Sequence, residues 1–262
     1  MASVISPRAE ISPKAKIGDN CKIFPFVYIE DDVVIGDNCI IFPFVSILNG
    51  TRMGARNKVH QGSVLAALPQ DFNFCGEKSE LIIGENNIIR ENVVINRATH
   101  AGCQTVIGND NFLMEGARIS HDTKIGDSCV VGYGTKIAGD CEIGNGVIFS
   151  SSVIENAKTR VGEGSMIQAG TTFSKDVPPY IVVGGKPVGY NGPNNVMLTN
   201  YGITEKVQKH IANAYRLVFN GQNSVFDAVL QIKDQVPDSP EIRNIISFLR
   251  STQLGIIGKS MN

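Results

Sequence analysis

Of the four histidines in the chain, His121 stands in the setting that a proton-transferring group needs. A carboxylate, Asp122, follows it directly, and Gly139 lies 18 residues further on with a second aspartate, Asp140, after it. A neutral imidazole is the natural group to take a proton from a hydroxyl or amine at neutral pH. A glycine N–H with no side chain beside it can receive a developing oxyanion. Base and oxyanion donor together describe acyl transfer by direct attack, which requires no covalent enzyme intermediate and no cofactor. The other histidines carry no such signal. His210 falls in a helical pattern, His60 and His100 stand away from clustered acids, and all three read as structural or solvated. No CxxC or Cys/His ligand spacing occurs, so no metal site is read; a zinc-dependent anhydrase would need three converging histidines, and only His121 is available.

The 18-residue spacing gains its meaning from the stretch around it. Residues 113–144 divide into sixes that open on Leu113, Ile119, Ile125, Val131, Ile137 and Ile143, and the fifth residue is usually small (Ala117, Cys129, Thr135, Cys141). A period of six fits neither an amphipathic strand nor a helix. It is the mark of a left-handed parallel β-helix of hexapeptide repeats, in which three hexads make one triangular coil. Residues 18 apart then lie one above the other at roughly 4.8 Å. His121 therefore sits beneath Gly139 and Asp122 beneath Asp140, with His121 at the third place of its hexad, on a corner of the prism.

The register begins at the N-terminus with Ile5 and runs through Leu65 without a slip. Gly-Asp-Asn runs after Ile17 and Ile35 suit corner turns, and Pro7, Pro13, Pro25 and Pro43 fall in the turn half of their hexads. The register breaks over 66–80, which reads as a loop extruded from the prism, and more briefly over 98–105. One later hexad opens on Glu155; a carboxylate aimed inward would be costly, so local distortion is expected there. The run Asp176-Val-Pro-Pro-Tyr180 is expected to end the prism. A Gly- and Asn-rich connector follows, then three helical patterns, the second opening at Ser224 and the third at Ser239-Pro240. The reading is an all-β left-handed parallel β-helix over 1–190 with a small C-terminal α-helical domain over 191–262.

Composition narrows the setting. A net charge of −1 argues against a general nucleic-acid binder. Twenty-seven glycines and the absence of Trp fit a turn-rich prism with a narrow aliphatic interior. Four of the six cysteines (Cys21, Cys39, Cys129, Cys141) occupy the small fifth position, where they pack as small hydrophobes, and a reducing, cytoplasmic location is expected. Neither a signal peptide nor an integral membrane segment is read. The flat outer faces of such a prism predict a homotrimer.

Several stretches are more specific than the hexads. Pro69-Gln70-Asp71 with Gly76-Glu77, Ile89-Arg90-Glu91-Asn92, Ile95-Asn96-Arg97, Asn111-Phe112-Leu113-Met114, Ile119-Ser120-His121-Asp122, residues 176–180 and Asn213-Ala214-Tyr215-Arg216-Leu217 belong together. With them the whole chain resembles the acyl-[acyl-carrier-protein]–UDP-N-acetylglucosamine O-acyltransferase family, which begins lipid A synthesis. The resemblance implies that His121 deprotonates the sugar 3-hydroxyl, that the Gly139 N–H holds the oxyanion, and that Gln70 and Asp71 lie in the sugar-binding loop. It implies an acyl carrier protein donor, a nucleotide-sugar acceptor, a cleft between adjacent subunits, and a chain-length gauge that aligns with Ala169. Departures from the family pattern are Asn73 for a lysine, Arg118, Asp140 and Asn156 for histidines, and Ala157 for a glutamine. Val196 and Asn200 stand where a glutamate and an arginine contact the nucleotide, Met197-Leu198-Thr199-Asn200-Tyr201-Gly202 replaces an arginine-rich stretch, and Leu254 replaces an arginine. The implied function is acyl transfer to UDP-N-acetylglucosamine or a related nucleotide sugar. The alternatives are a divergent paralogue with another acceptor, or a non-catalytic subunit that binds acyl carrier protein or enters mixed trimers.

Overall fold

The computed structural model describes residues 2–220 and 224–259. Each hexad supplies one strand, usually two residues long, whose first member points out and whose second fills the interior, as in Arg118–Ile119 and Lys136–Ile137. Val4–Ile5, Glu10–Ile11 and Lys16–Ile17 enter three different sheets, and Lys22–Ile23 returns to pair in parallel with Val4–Ile5. Three sheets of twelve, nine and eight described strands result, here the first, second and third faces. The fold is a left-handed parallel β-helix. Its ladder is continuous from coil to coil: the Ser120 N–H donates to Ile137 O (3.0 Å) and the Lys124 N–H to Cys141 O (2.8 Å). Stacked interior Ile, Val and Leu side chains stabilise it, each at about 1.5–3 kcal/mol for full burial.

The small fifth position packs as expected. Cys21, Cys39, Cys129 and Cys141 are buried, and burial pushes the thiols of Cys39 and Cys129 up to about 11 and that of Cys141 to about 12. They are inert packing groups at neutral pH.

The structure corrects four details. Ala67 and Glu80 belong to strands Val64–Ala67 and Glu80–Ile83, so the extruded segment is 68–79; Ala66 forms a buried bulge at φ 58°. The prolines at 178 and 179 do not end the prism, because Ile181–Gly184 pairs in parallel with Met166–Ile167. Both imino groups sit in the turn before that strand, where no ladder donor is lost. Glu155 causes no distortion: Ile154–Glu155 keeps regular pairing to Lys136–Ile137 and Thr172–Phe173, with the side chain inside the core. Burial raises its carboxyl to about 8, so it enters the interior neutral, with Oε1 accepting from the Thr159 hydroxyl at 2.9 Å. Finally, the Gly- and Asn-rich connector holds a strand and leads into a helix beyond the three read from the sequence. Gly189–Pro193 pairs antiparallel to Ile181–Gly184 and parallel to Gly258–Lys259, and a short helix follows.

That helix, α1 (Asn195–Asn200), precedes α2 (Glu205–Asn220), α3 (Val225–Gln235) and α4 (Pro240–Ser251). Side chains of Asn194, Ser224 and Ser239 accept from the N–H groups of Met197, Asp227 and Ile242 and so cap α1, α3 and α4. Tyr215 and Phe219 of α2 pack on Tyr190, the latter at a ring distance of 4.3 Å. Arg160 reaches from the third face to Asp176, Ser251 and the Phe248 carbonyl, which holds α4 against the prism. Among the described residues no helix is long and apolar enough to cross a membrane.

Candidate active site

His121 lies between Arg118–Ile119 on the second face and Lys124–Ile125 on the third, on the edge where those faces meet. The edge residue of the next coil is Gly139. A Cβ there would come within 2.5 Å of His121 Cε1 and 2.8 Å of Nε2, so the imidazole rests directly on a surface only glycine provides. The Asp140 N–H donates to His121 O at 3.1 Å, which fixes the stacking read from the 18-residue spacing. The Gly139 N–H has no acceptor among the described residues.

Asp122 takes the left-handed corner conformation, φ 57°, and its carboxylate folds back onto the ring. Oδ2 lies 2.9 Å from His121 Nδ1 and also accepts the Thr99 N–H at 3.0 Å, while the Asp122 N–H donates to Thr105 Oγ1 at 2.9 Å. An ionised carboxylate can only accept, so Nδ1 carries the proton and the Nε2 lone pair is exposed. Asp71, on the extruded segment, brings Oδ2 to 3.8 Å from Nε2, too far to claim that lone pair by a hydrogen bond. The Asn73 N–H donates to Asp71 Oδ1 and holds the Asp71 carboxyl below its usual range. A base oriented from behind, with its front nitrogen open beside a second carboxylate, is the arrangement for abstracting a proton from a neutral substrate.

The remaining sequence-predicted residues divide into two sets. Gln70 and Asn73 are exposed on the extruded segment beside Asp71. Arg118 points outward on the second face, and Asn156 is exposed on the edge two coils beyond Ser120. Asp140, with Lys158, Asp176 and Leu254, lines a polar groove of about 510 Å³. Ala169 does not join them: it is on the edge between the first and second faces, following Met166–Ile167. Val196 and Asn200 line an apolar groove of about 810 Å³ between α1 and the outer side of the first face, across the prism from His121.

Two histidines were misplaced by the sequence reading. His60 Nδ1 lies 3.3 Å from Glu91 Oε1 with its ring stacked on Phe42 at 4.5 Å, and His100 stands near Asp71 and Glu77, whose carboxyls are lowered chiefly by backbone N–H donors. The extruded segment is the reason: it sets Val59 opposite Ile89, so Arg90 takes the place on the coil above His60 that an unbroken register would give to residue 78, and Glu91 follows directly after it. Burial lowers the pKa of His60. Thr99 and Thr105 escaped notice altogether. Both fall within 98–105, where the register read from the sequence breaks; the structure sets Thr105 one coil below Thr123, next to Asp122.

A family model described as UDP N-acetylglucosamine O-acyltransferase, domain 2, matches residues 176–257, and bacterial transferase hexapeptide repeats match 14–41, 32–67 and 104–139. An acyl-[acyl-carrier-protein]–UDP-N-acetylglucosamine O-acyltransferase from Xanthomonas axonopodis pv. citri is 40% identical over 95% of this chain and 96% of its own. The protein of that name from Xylella fastidiosa is 35% identical over 96% and 97%. Among solved structures, a UDP-N-acetylglucosamine acyltransferase from Bacteroides fragilis superposes with a TM-score of 0.95 at 46% identity, covering 97% of this chain and 100% of that one. The Francisella novicida enzyme gives 0.94 at 30%, covering 98% and 94%.

Proposed function

The chain belongs to the acyl-[acyl-carrier-protein]–UDP-N-acetylglucosamine O-acyltransferase family, and from that membership we propose that it moves an acyl chain from acyl carrier protein to the 3-hydroxyl of UDP-N-acetylglucosamine. The observation that carries the mechanism is the Asp122–His121 pair lying on Gly139. With Nδ1–H bonded to Asp122, Nε2 accepts the hydroxyl proton as the sugar oxygen attacks the thioester carbonyl. The carbonyl oxygen becomes an oxyanion, for which the unengaged Gly139 N–H is the available donor. Collapse breaks the C–S bond, and the proton on Nε2 passes to the departing thiolate. Atoms balance without a covalent enzyme intermediate.

Asp71, Gln70 and Asn73 are assigned to the acceptor sugar, and Arg118, Asp140 and Asn156 to the walls of the same edge. Acyl carrier protein and a nucleotide sugar are the implied partners. The separation of Val196 and Asn200 from His121 supports a homotrimer in which α1 of one copy faces the His121 edge of the next, with the acyl chain running toward Ala169.

The test is ester formation by purified protein from UDP-N-acetylglucosamine and acyl carrier protein charged with a series of chains. His121→Ala is expected to lower kcat by about 10²–10⁴ with little change in melting temperature. Wild-type turnover in the His121→Ala protein would end the mechanism.

A further inference from the structure

The regular coils fix His121 and Gly139, but Asp71 sits on an insertion whose position has to be set by something else. The two insertions leave the same edge and are sewn together. The Gly102 N–H donates to Lys78 O at 3.0 Å, the Glu80 N–H to Cys103 O at 3.1 Å, and Ser79 Oγ bonds Ala98 O. Within the first insertion, residues 71–74 form a turn headed by Asp71: Oδ1 accepts the Asn73 N–H at 2.7 Å and the carbonyl accepts the Phe74 N–H at 3.2 Å. Phe72 of this turn is wholly exposed, so the only aromatic anchor is Phe74, half-buried with its ring 5.5 Å from the Arg97 guanidinium carbon. Arg97 is itself tied to the prism on both sides. Its N–H donates to Ala67 O and its Nη1 to Asn49 O, each at 3.1 Å, and its Nε is buried without a partner among the described residues.

We propose that Arg97 is a positioning residue which, through the ring of Phe74, holds the Asp71 turn in the place that presents its carboxylate to the front of His121. The prism sets the guanidinium, the ring seats on the guanidinium, and Asp71 heads the turn that the ring closes. The inference rests on the reading of Asp71 as an acceptor-binding group and names what makes that group effective.

Two readouts test it on the full chain. In steady-state kinetics, Phe74→Ala and Asp71→Asn each raise the acceptor KM about tenfold, with donor KM and kcat within about twofold. The double variant is no worse than Asp71→Asn alone, because both changes remove one interaction. Phe74→Tyr retains wild-type values and Arg97→Lys, which keeps the charge but not the fork, falls between. Losses that add in the double variant, or a fall in kcat accompanied by a lower melting temperature, overturn the proposal. In carbon–proton NMR spectra of the ligand-free protein, the His121 Cε1–Hε1 resonance moves in Phe74→Ala in the direction it moves in Asp71→Asn, and no further in the double variant. A resonance unmoved in Phe74→Ala overturns the proposal whether or not the protein turns over substrate. Absence of wild-type turnover, by contrast, strikes only the functional reading.

Discussion

Replacing Glu155 by glutamine tests the physics of the prism interior. The side chain points inward between Ile137 and Phe173, is 1% exposed, and bonds one oxygen to Thr159 Oγ1 while the other has no partner among the described residues. Burial raises its pKa from 4.5 to about 8. A folded pKa above the unfolded one means that the native state keeps a proton that the unfolded chain releases. The associated stability is fully present below pH 4.5 and is lost as pH rises through about 8. At about 1.4 kcal/mol per pH unit for one proton, that interval corresponds to roughly 4–5 kcal/mol. Glu155→Gln keeps the size and the neutral state but cannot ionise. It should match wild type within about 1 kcal/mol at pH 5 and exceed it by roughly 3–5 kcal/mol at pH 9. Guanidinium unfolding of both proteins at the two pH values, at one protein concentration, reads the difference of differences, so groups common to both cancel. Parallel pH dependence in the two proteins would refute the inward, neutral carboxyl.

The functional reading makes two further claims on solution behaviour. The double variant Val196→Glu/Asn200→Arg should tighten UDP-N-acetylglucosamine binding, each charged hydrogen bond contributing roughly 1.5–3 kcal/mol, whereas either single change leaves a charge unpaired; calorimetry showing tight binding by wild type, unchanged in the double variant, would show that α1 does not meet the nucleotide. Light scattering should report three times 28.3 kDa, and a stable, active monomer would remove the need for a second chain at the His121 edge.

What could be read from the sequence was whatever the repeat controls. A period of six makes every opening residue an interior one, and Ile119, Ile137 and Phe149 obey it, as does Glu155 against the cost of its carboxyl. The same arithmetic put His121 on Gly139. It fails wherever residues are inserted, because an insertion changes which residue lies on the next coil. Hence Glu91 beside His60, Thr99 behind Asp122 and Arg97 beneath Phe74 were hidden, although each partner was visible as a residue. Helix α1 was hidden for another reason: six residues are too few to display a period, and its cap, Asn194, sits in a stretch rich in Asn and Gly.

This division between ladder and insertion has a consequence for specificity. His121 and Gly139 are one coil apart on a parallel ladder, and their separation is fixed by hydrogen bonds that no insertion interrupts. Asp71 depends instead on a segment that could be lengthened or resequenced without moving Ile119, Ile137 or the edge between them. Thr99 ties the two parts, since its N–H and His121 Nδ1 meet at the same oxygen of Asp122. On the proposed function, changes within 68–79 should therefore alter which acceptor is held while leaving His121 in place. Changes within 97–103 reach both, because that insertion supports the Asp71 turn on one side and the Asp122 carboxylate on the other.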